Sequence, residues 1–270
     1  MENQPIISVK NVSKQFGNIT AVNDISFEVK QGEIFAFLGP NGAGKSTTIK
    51  MLTTLLQPTK GELLLDGHDV TKEQDATRKT FGIVFQDASL DDELTAFENM
   101  QLHAALYSIP RKQTNPRIEE LLKLVELWDR RDAVVKTFSG GMKRRLEIAR
   151  GLMHHPKIMF LDEPTLGLDA QTRNMLWAYI AELNKKEGMT IFFTTHYLGE
   201  AEAIAQRIAI IDRGQIVALG TSEELKKQTG AANLEGAYLE LTGKGLRDET
   251  LDSTEGERER IRNLMKYKRQ

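Results

Sequence analysis

The chain has 270 residues, of which 40% are hydrophobic, with 36 Lys and Arg against 38 Asp and Glu and no cysteine. The near-neutral balance excludes a global field for nucleic acid or an anionic membrane surface, and the lack of thiols excludes disulfides and thiolate metal sites. The length suits one large α/β domain or a core with a smaller subdomain; no apolar run approaches the ~18 residues that cross a bilayer, and the start, Met-Glu-Asn-Gln-Pro, has no signal-peptide pattern, so a cytoplasmic protein is expected.

From Ile6 to Leu38, short apolar alternations broken by Gly17, Asn23-Asp24 and Gln31-Gly32 predict antiparallel strands that lead into a buried strand, Ile34 to Leu38. A helix follows Lys45 and is expected to end near Leu56, before Pro58. Gly61 to Gly67 and Phe81 to Gln86 are the next strands. The periodicity then becomes helical from about Asp87 to His155. Thr95 and Glu98 form a capping box, Asn115-Pro116 reads as a helix start with Ile118, Leu121, Leu122 and Val125 on one face, and Ser139 precedes a helix with Met142, Leu146, Ala149 and Met153 on one stripe. Strands resume at Ile158 to Leu161, Thr190 to Thr195 and Ile208 to Ile211, with helical stretches between them, which implies a mostly parallel, doubly wound sheet. Arg213-Gly214 reads as a turn into Ile216 to Leu219, and Thr221 and Glu224 cap a short helix. Regularity weakens beyond Gly230. The segment from Lys244 to Gln270 is rich in charge and reads as a solvated tail, with Ile261, Leu264 and Met265 as a narrow apolar stripe.

Two segments carry chemistry. Gly39-Pro40-Asn41-Gly42-Ala43-Gly44-Lys45-Ser46-Thr47 fits the G-x-x-x-x-G-K-[ST] phosphate-binding loop between a buried strand and a helix. Glycines let the backbone approach phosphates and adopt positive φ, Lys45 reaches the β and γ oxygens, and Ser46 offers its hydroxyl to Mg²⁺. Ile158-Met159-Phe160-Leu161-Asp162-Glu163 sets two carboxylates at the end of an apolar strand: Asp162 to hold Mg²⁺, directly or through water, and Glu163 to polarise the attacking water as general base. Ser139-Gly140-Gly141 offers an uncrowded helix N-terminus for an anion, or a plain cap, and Lys143, Arg144 and Arg145 either add positive field there or form a solvated face.

The order of these motifs resembles the nucleotide-binding subunit of an ATP-binding-cassette (ABC) transporter over about residues 6 to 220. The distinguishing feature is Ser139-Gly140-Gly141 shortly before Asp162-Glu163-Pro164. The resemblance implies a P-loop NTPase (RecA-like) fold, with a parallel-sheet core, an N-terminal antiparallel β subdomain and a helical insertion. It divides the chain into a nucleotide-binding domain, 1–229, made of a catalytic core (1–86 and 156–229) and a helical subdomain (87–155), followed by an extension and charged tail, 230–270.

By resemblance, Phe16 stacks on adenine, Gln86 contacts Mg²⁺ or the attacking water, and His196 bonds the γ-phosphate. Asp169, in Gly167-Leu168-Asp169, lies at a head-to-tail dimer interface where the Ser139 segment of one subunit completes the ATP site of the other. The expected ligands are ATP and Mg²⁺. The expected partners are a second nucleotide-binding subunit and a separate multi-pass membrane permease, which places the chain at the cytoplasmic face of the membrane with no nucleic acid bound. Met142 and Lys143 stand where the family more often has Gln, a departure that removes no phosphate donor. The variant Phe138-Ser139-Gly140-Gly141-Met142-Lys143-Arg144-Arg145, with Ser89 to Thr95 and Tyr238 to Lys244, is similar to the drug-resistance branch of exporters typified by daunorubicin resistance. The acids Asp87, Asp91, Asp92 and Glu93 after Gln86 then suit a basic helix of the permease, or are solvated loop charge. Alternatives that stay open on sequence are a soluble ABC ATPase acting on ribosomes or DNA, and an ATP switch without turnover.

Overall fold

The computed structural model describes residues 5–243. The chain runs β1 (Ile7–Phe16), β2 (Ile19–Val29), β3 (Ile34–Leu38), α1 (Lys45–Leu52), β4 (Lys60–Leu65), β5 (His68–Asp69), α2 (Gln74–Thr80) and β6 (Phe81–Val84). Three helices follow without an intervening strand: α3 (Ala96–Leu106), α4 (Arg111–Leu124) and α5 (Gly140–Gly151). The chain then returns through β7 (Ile158–Asp162), α6 (Ala170–Glu187), β8 (Thr190–Thr195), α7 (Leu198–Ile204), β9 (Arg207–Asp212), β10 (Gln215–Gly220), α8 (Ser222–Thr229) and α9 (Leu234–Thr242).

Two sheets form. One is antiparallel, in the order β2-β1-β4-β5; the other has the order β10-β9-β3-β8-β7-β6. The second is parallel from β9 to β6, and only β10 runs against its neighbour. Because side chains alternate across a strand, each buried strand feeds two cores. Ala36, Leu38, Leu161, Ile191, Phe193, Ile208 and Ile210 face the core shared with the helical segment. Phe35, Phe37, Phe160, Phe192, Ala209 and Ile211 face the core shared with the antiparallel sheet and α1. Strands buried on both faces must be apolar throughout, which is why these runs show no polar alternation.

An aromatic group joins the two sheets. Phe27 of β2 lies 5.5 Å from Phe35 and 6.0 Å from Phe192, and Phe192 lies 5.5 to 5.6 Å from Phe160, Phe35 and Phe37. Centroid spacings in this range are those of attractive ring pairs.

The structure departs from the sequence pattern at several helix ends. α1 stops at Leu52 rather than Leu56, because Thr54 adopts φ 64° and the amides of Leu55 and Leu56 turn back to the Lys50 carbonyl. α4 begins at Arg111, so Pro116 lies inside it. Its missing N–H leaves the Lys112 carbonyl without the usual helical partner, a cost borne by packing of Ile118, Leu121 and Leu122 in the core. Past Gly230, α9 forms behind the Asn233 cap and buries Leu234 and Tyr238. Both capping boxes form, and Arg213 and Gly214 each take positive φ, the pair of conformations that a tight two-residue hairpin needs. The stripe of Ile261, Leu264 and Met265 lies outside the described residues.

Replacing Phe192 by Ala leaves a cavity where four rings meet, and about 3–5 kcal/mol of unfolding free energy should be lost. Urea titration with a tertiary-structure probe measures this, and a loss below about 1 kcal/mol would show that the ring cluster is not central to packing of the two sheets.

Candidate active site at the carboxyl edge of the parallel sheet

Leu38 of β3 pairs with Thr195 of β8, and Asp162 of β7 pairs with Thr194, so the three strands end level with one another. Whatever follows each strand therefore emerges on one edge. The residues after β3 form the phosphate loop, wedged at Gly39 and Gly44 so closely between neighbours that side chains are excluded there. A Cβ on Gly39 would lie 2.2 Å from the Ile211 carbonyl oxygen, and one on Gly44, at φ 109°, would lie 2.6 Å from that of Ala21. Gly42 takes φ 79° with open space around it. The loop delivers the chain into α1, whose first turn has no acidic residue and no side-chain cap, so N–H groups at that end are available to an anion.

Lys45 is buried at 5% exposure, and its ammonium reaches back over the loop to the carbonyl oxygens of Gly39 (2.7 Å) and Pro40 (3.3 Å). It also lies 3.0 Å from Glu163 Oε1, as an ion pair rather than an aligned hydrogen bond. Ser46 donates to Asp162 Oδ1 at 3.2 Å. Thr194 donates to the same oxygen at 2.6 Å and accepts from the Glu163 amide at 3.0 Å, so one hydroxyl fixes both carboxylate residues. Glu163 itself takes φ 48°, a left-handed conformation held by this bond and by the turn behind it. Its second oxygen, Oε2, lies 2.9 Å from His196 Nδ1.

Glu163 is buried at 4% exposure. Burial alone pushes its carboxyl pKa up, but the His196 hydrogen bond and the Lys45 ammonium outweigh that and hold it below the usual carboxylate value. The edge thus carries an ionised base, a cation and a histidine in direct contact, with a serine and an aspartate alongside.

The other residues singled out by sequence are placed as follows. Phe16, at the end of β1, is 47% exposed, with the Lys14 ammonium 5.0 Å from its ring centre, so it is not a core phenylalanine. Gln86 is exposed just past β6, which pairs with β7, and its carbonyl accepts from Arg144 at 3.3 Å. Thr47 lies half-buried in the first turn of α1, and Asn41 and Pro40 form the outer part of the loop. Ser139 caps α5 by accepting from the Met142 amide, and Asp169 caps α6 through the Thr172 amide (2.9 Å) and hydroxyl (2.7 Å). These two caps meet each other: a Cβ on Gly141 would lie 2.5 Å from Thr172 Cγ2. Ser139, Gly140 and Asp169 are thus exposed, whereas Lys45 and Glu163 are buried.

Thr194 and Glu200 in the structure's polar network were not singled out by sequence, and Arg144 takes a place in it that neither positive field nor a solvated face describes. Glu200, on α7, is buried and accepts from Thr165 (2.6 Å) and Thr195 (3.0 Å), tying the turn after Glu163 to the end of β8. Arg144 is buried rather than solvated. Its signal was in the helical period: Arg144, Glu147, Ile148 and Gly151 fall on one face of α5, and all four are buried. The flanking cations are spent locally, Lys143 on Asp92 (2.6 Å) and Arg145 on Glu126 (3.3 Å).

The donor set fits a magnesium ion. The Ser46 hydroxyl and the Asp162 carboxylate are adjacent hard oxygens at the phosphate-loop edge, and Mg²⁺ takes one or two protein oxygens while completing its shell from water and substrate phosphates.

Ligands of open α/β sheets bind outside the carboxyl ends of the strands, and a glycine loop with a buried lysine there defines a phosphate-loop nucleoside triphosphatase. Comparison with known proteins narrows the class. Residues 22–166 match the family model described as ABC transporter. The daunorubicin/doxorubicin resistance ATP-binding protein DrrA of Streptomyces peucetius is 42% identical over 233 residues, covering 86% of this chain and 70% of that protein. The linearmycin resistance ATP-binding protein LnrL of Bacillus subtilis is 39% identical over 243 residues, covering 90% and 76%. Among solved structures, a dimer of the ATP-binding cassette MJ0796 in a post-hydrolysis state bound to ADP and Pi matches with TM-score 0.71 and 30% identity, over 80% of this chain and 98% of that one. The chain belongs to the ABC transporter family, as one of its ATP-binding and ATP-hydrolysing subunits.

The depressed Glu163 pKa makes a sign-definite prediction for the nucleotide-free protein. Its ionised contacts contribute stability that is fully present above the ordinary value of 4.5 and is lost as pH falls through the lower folded value. The stability difference between wild type and Glu163→Gln should therefore be constant near neutral pH and shift against the wild type in acid. Thermal unfolding of both proteins from pH 7 downward checks this; parallel curves throughout would show that Glu163 is not held ionised by Lys45 and His196.

Proposed function

We propose that the chain binds Mg-ATP at this edge, hydrolyses it between two copies of the subunit, and so powers export through a separate membrane permease. The observation that carries the reading is the contact of Lys45 and His196 with one buried carboxylate, Glu163, beside an open phosphate loop.

Lys45 turns from Glu163 to the β and γ oxygens, and the backbone N–H groups from Gly39 to Thr47 cradle them. Adenine stacks on the exposed ring of Phe16, which offers area without strong choice of base. Ser46 and Asp162 hold Mg²⁺, with Gln86 reaching the ion or the attacking water; the bound ion neutralises charge on the phosphates. Freed of Lys45, Glu163 loses one of the contacts that lower its pKa and becomes a better base. It takes a proton from water as the oxygen attacks the γ-phosphorus and the bond to the ADP oxygen breaks. His196 holds the γ-phosphate in line.

Within one subunit Ser139, Gly140 and Asp169 are exposed, and the first turn of α5 keeps donors beyond the single bond to Ser139. Head-to-tail pairing brings that turn onto the γ-phosphate of the partner, so ATP supplies the differential affinity for the closed dimer. The core (1–86 and 156–229) and the helical subdomain (87–155) act as the two parts of this device.

No helix among the described residues is long and apolar enough to cross a membrane, which fits a peripheral subunit at the cytoplasmic face. On α3, Leu102 and Leu106 are exposed one turn apart, an apolar strip suited to a permease helix. The acids before α3 serve that surface less than their number suggests: Asp92 pairs with Lys143, Glu93 with Lys136, and Asp91 accepts from the Glu93 amide. The relatives' names, which are of resistance to linearmycin, daunorubicin and doxorubicin, support export of a drug, lipid or other substrate, and nothing in the comparisons supports ribosomes or DNA as partners.

Lys45→Ala should abolish productive ATP binding, whereas Glu163→Gln should keep binding and slow phosphate release by about 10²-fold or more. Undiminished turnover by Glu163→Gln would remove it as the base. Affinity purification of the tagged protein from detergent-solubilised native membranes should recover a multi-pass protein in stoichiometric amount. Recovery of ribosomal proteins or nucleic acid without a membrane protein would leave the ATPase standing and end the export reading.

A further inference from the structure

Arg144 lies on α5 one turn beyond Gly140, is buried, and has all five of its N–H donors matched by acceptors. Nε donates to the Pro164 carbonyl (2.9 Å); one terminal nitrogen donates to the Phe85 carbonyl and to Glu147 Oε2 (3.1 Å); the other donates to the carbonyls of Gln86 (3.3 Å) and Glu163 (3.4 Å). Four of these acceptors are main-chain oxygens, two on the segment that carries Gln86 and two on the turn that carries Glu163. The anionic partner is equally engaged. Glu147, buried at 1% exposure, accepts from the Ser89 amide (2.8 Å) and hydroxyl (3.4 Å), and Arg150 from the next turn donates to Ser89 as well.

One planar guanidinium thus bridges three pieces of chain: the helix that begins at Ser139, the exit from β6 and the exit from β7. We infer that Arg144 is a positioning residue that makes the placement of Gln86 and Glu163 depend on the position of the Ser139–Gly141 helix end. The inference rests on the reading that this end receives the partner subunit's nucleotide. α5 is a single helix of 12 residues, so Ser139–Gly141 and Arg144 move together. When the helix end shifts onto a γ-phosphate, the fork shifts with it, and the carbonyls of Phe85, Gln86, Glu163 and Pro164 follow because all four are bonded to one rigid plane. Occupancy of one composite site is thereby reported to the catalytic residues of the subunit that supplied the helix, which belong to the other site.

A lysine at this position keeps a positive charge for Glu147 but puts three donors on one nitrogen, which cannot serve both chain segments in the arginine's geometry. Arg144→Lys should therefore fold, keep KM for ATP within about twofold and lose about tenfold or more in kcat, since only alignment at the chemical step is affected. The uncharged pair Arg144→Gln/Glu147→Gln is the second variant should the lysine protein fail to fold, because it leaves no unpaired buried charge. The deciding measurement is a double-mutant cycle on kcat with Glu163→Gln. A residue that acts through Glu163 costs about twofold or less once Glu163 is gone, while a merely structural brace costs the same factor in both backgrounds. An unchanged kcat in the folded variants, or a fully additive cycle, overturns the inference. Wild-type protein that releases no phosphate, or whose release survives Lys45→Ala, instead overturns the ATPase reading beneath it.

Discussion

The site depends on one constraint: two opposite charges, Lys45 and Glu163, are buried together at the level ends of three parallel strands. Neither charge could be withdrawn from water without partners, since an isolated buried ion costs several kcal/mol. The fold supplies those partners from elements distant in sequence: two loop carbonyls for the lysine, and His196 together with the Thr194-bonded turn for the glutamate. The register of β3, β7 and β8 is therefore what makes the chemistry possible. A slip of one residue in β7 would send Asp162 to the opposite face, and a slip in β3 or β8 would shift the start of the Lys45 loop or His196 along the sheet edge.

A pair of this kind satisfies both charges and can still exchange one partner for a ligand. Phosphate oxygens compete with Glu163 for the lysine, and a carboxylate relieved of its cation is a stronger base. In the proposed reaction, the event that binds nucleotide thus also prepares Glu163 as the base. The proposed composite arrangement adds a second condition, because the exposed α5 end and α6 cap would meet a phosphate across a dimer.

Much of this was legible in the chain because the signals were local. The phosphate loop, the apolar strand ending in Asp162-Glu163 and the two capping boxes are each set by residues within about ten positions, and each forms where the pattern puts it. Pro116 misled because a proline is compatible with a helix start and also, at a cost, with an interior supported by core packing. Thr54 was not readable as the end of α1, since a threonine at positive φ has no compositional cue. Lys143, Arg144 and Arg145 look alike in sequence, yet successive helical residues point about 100° apart, so the middle one is buried and its neighbours are not. Only the burial of Glu147 three residues on separates a solvated basic face from an internal clamp.

The most direct test is a structure of the protein with Mg²⁺ and a non-hydrolysable ATP analogue. Lys45 Nζ is expected on the β and γ oxygens and moved away from its present 3.0 Å contact with Glu163, with the carboxylate still on His196 and turned toward a water in line with the γ-phosphorus. If Lys45 instead stays on Glu163 with nucleotide bound, the exchange of partners does not occur, and the preparation of Glu163 as the base must have another cause.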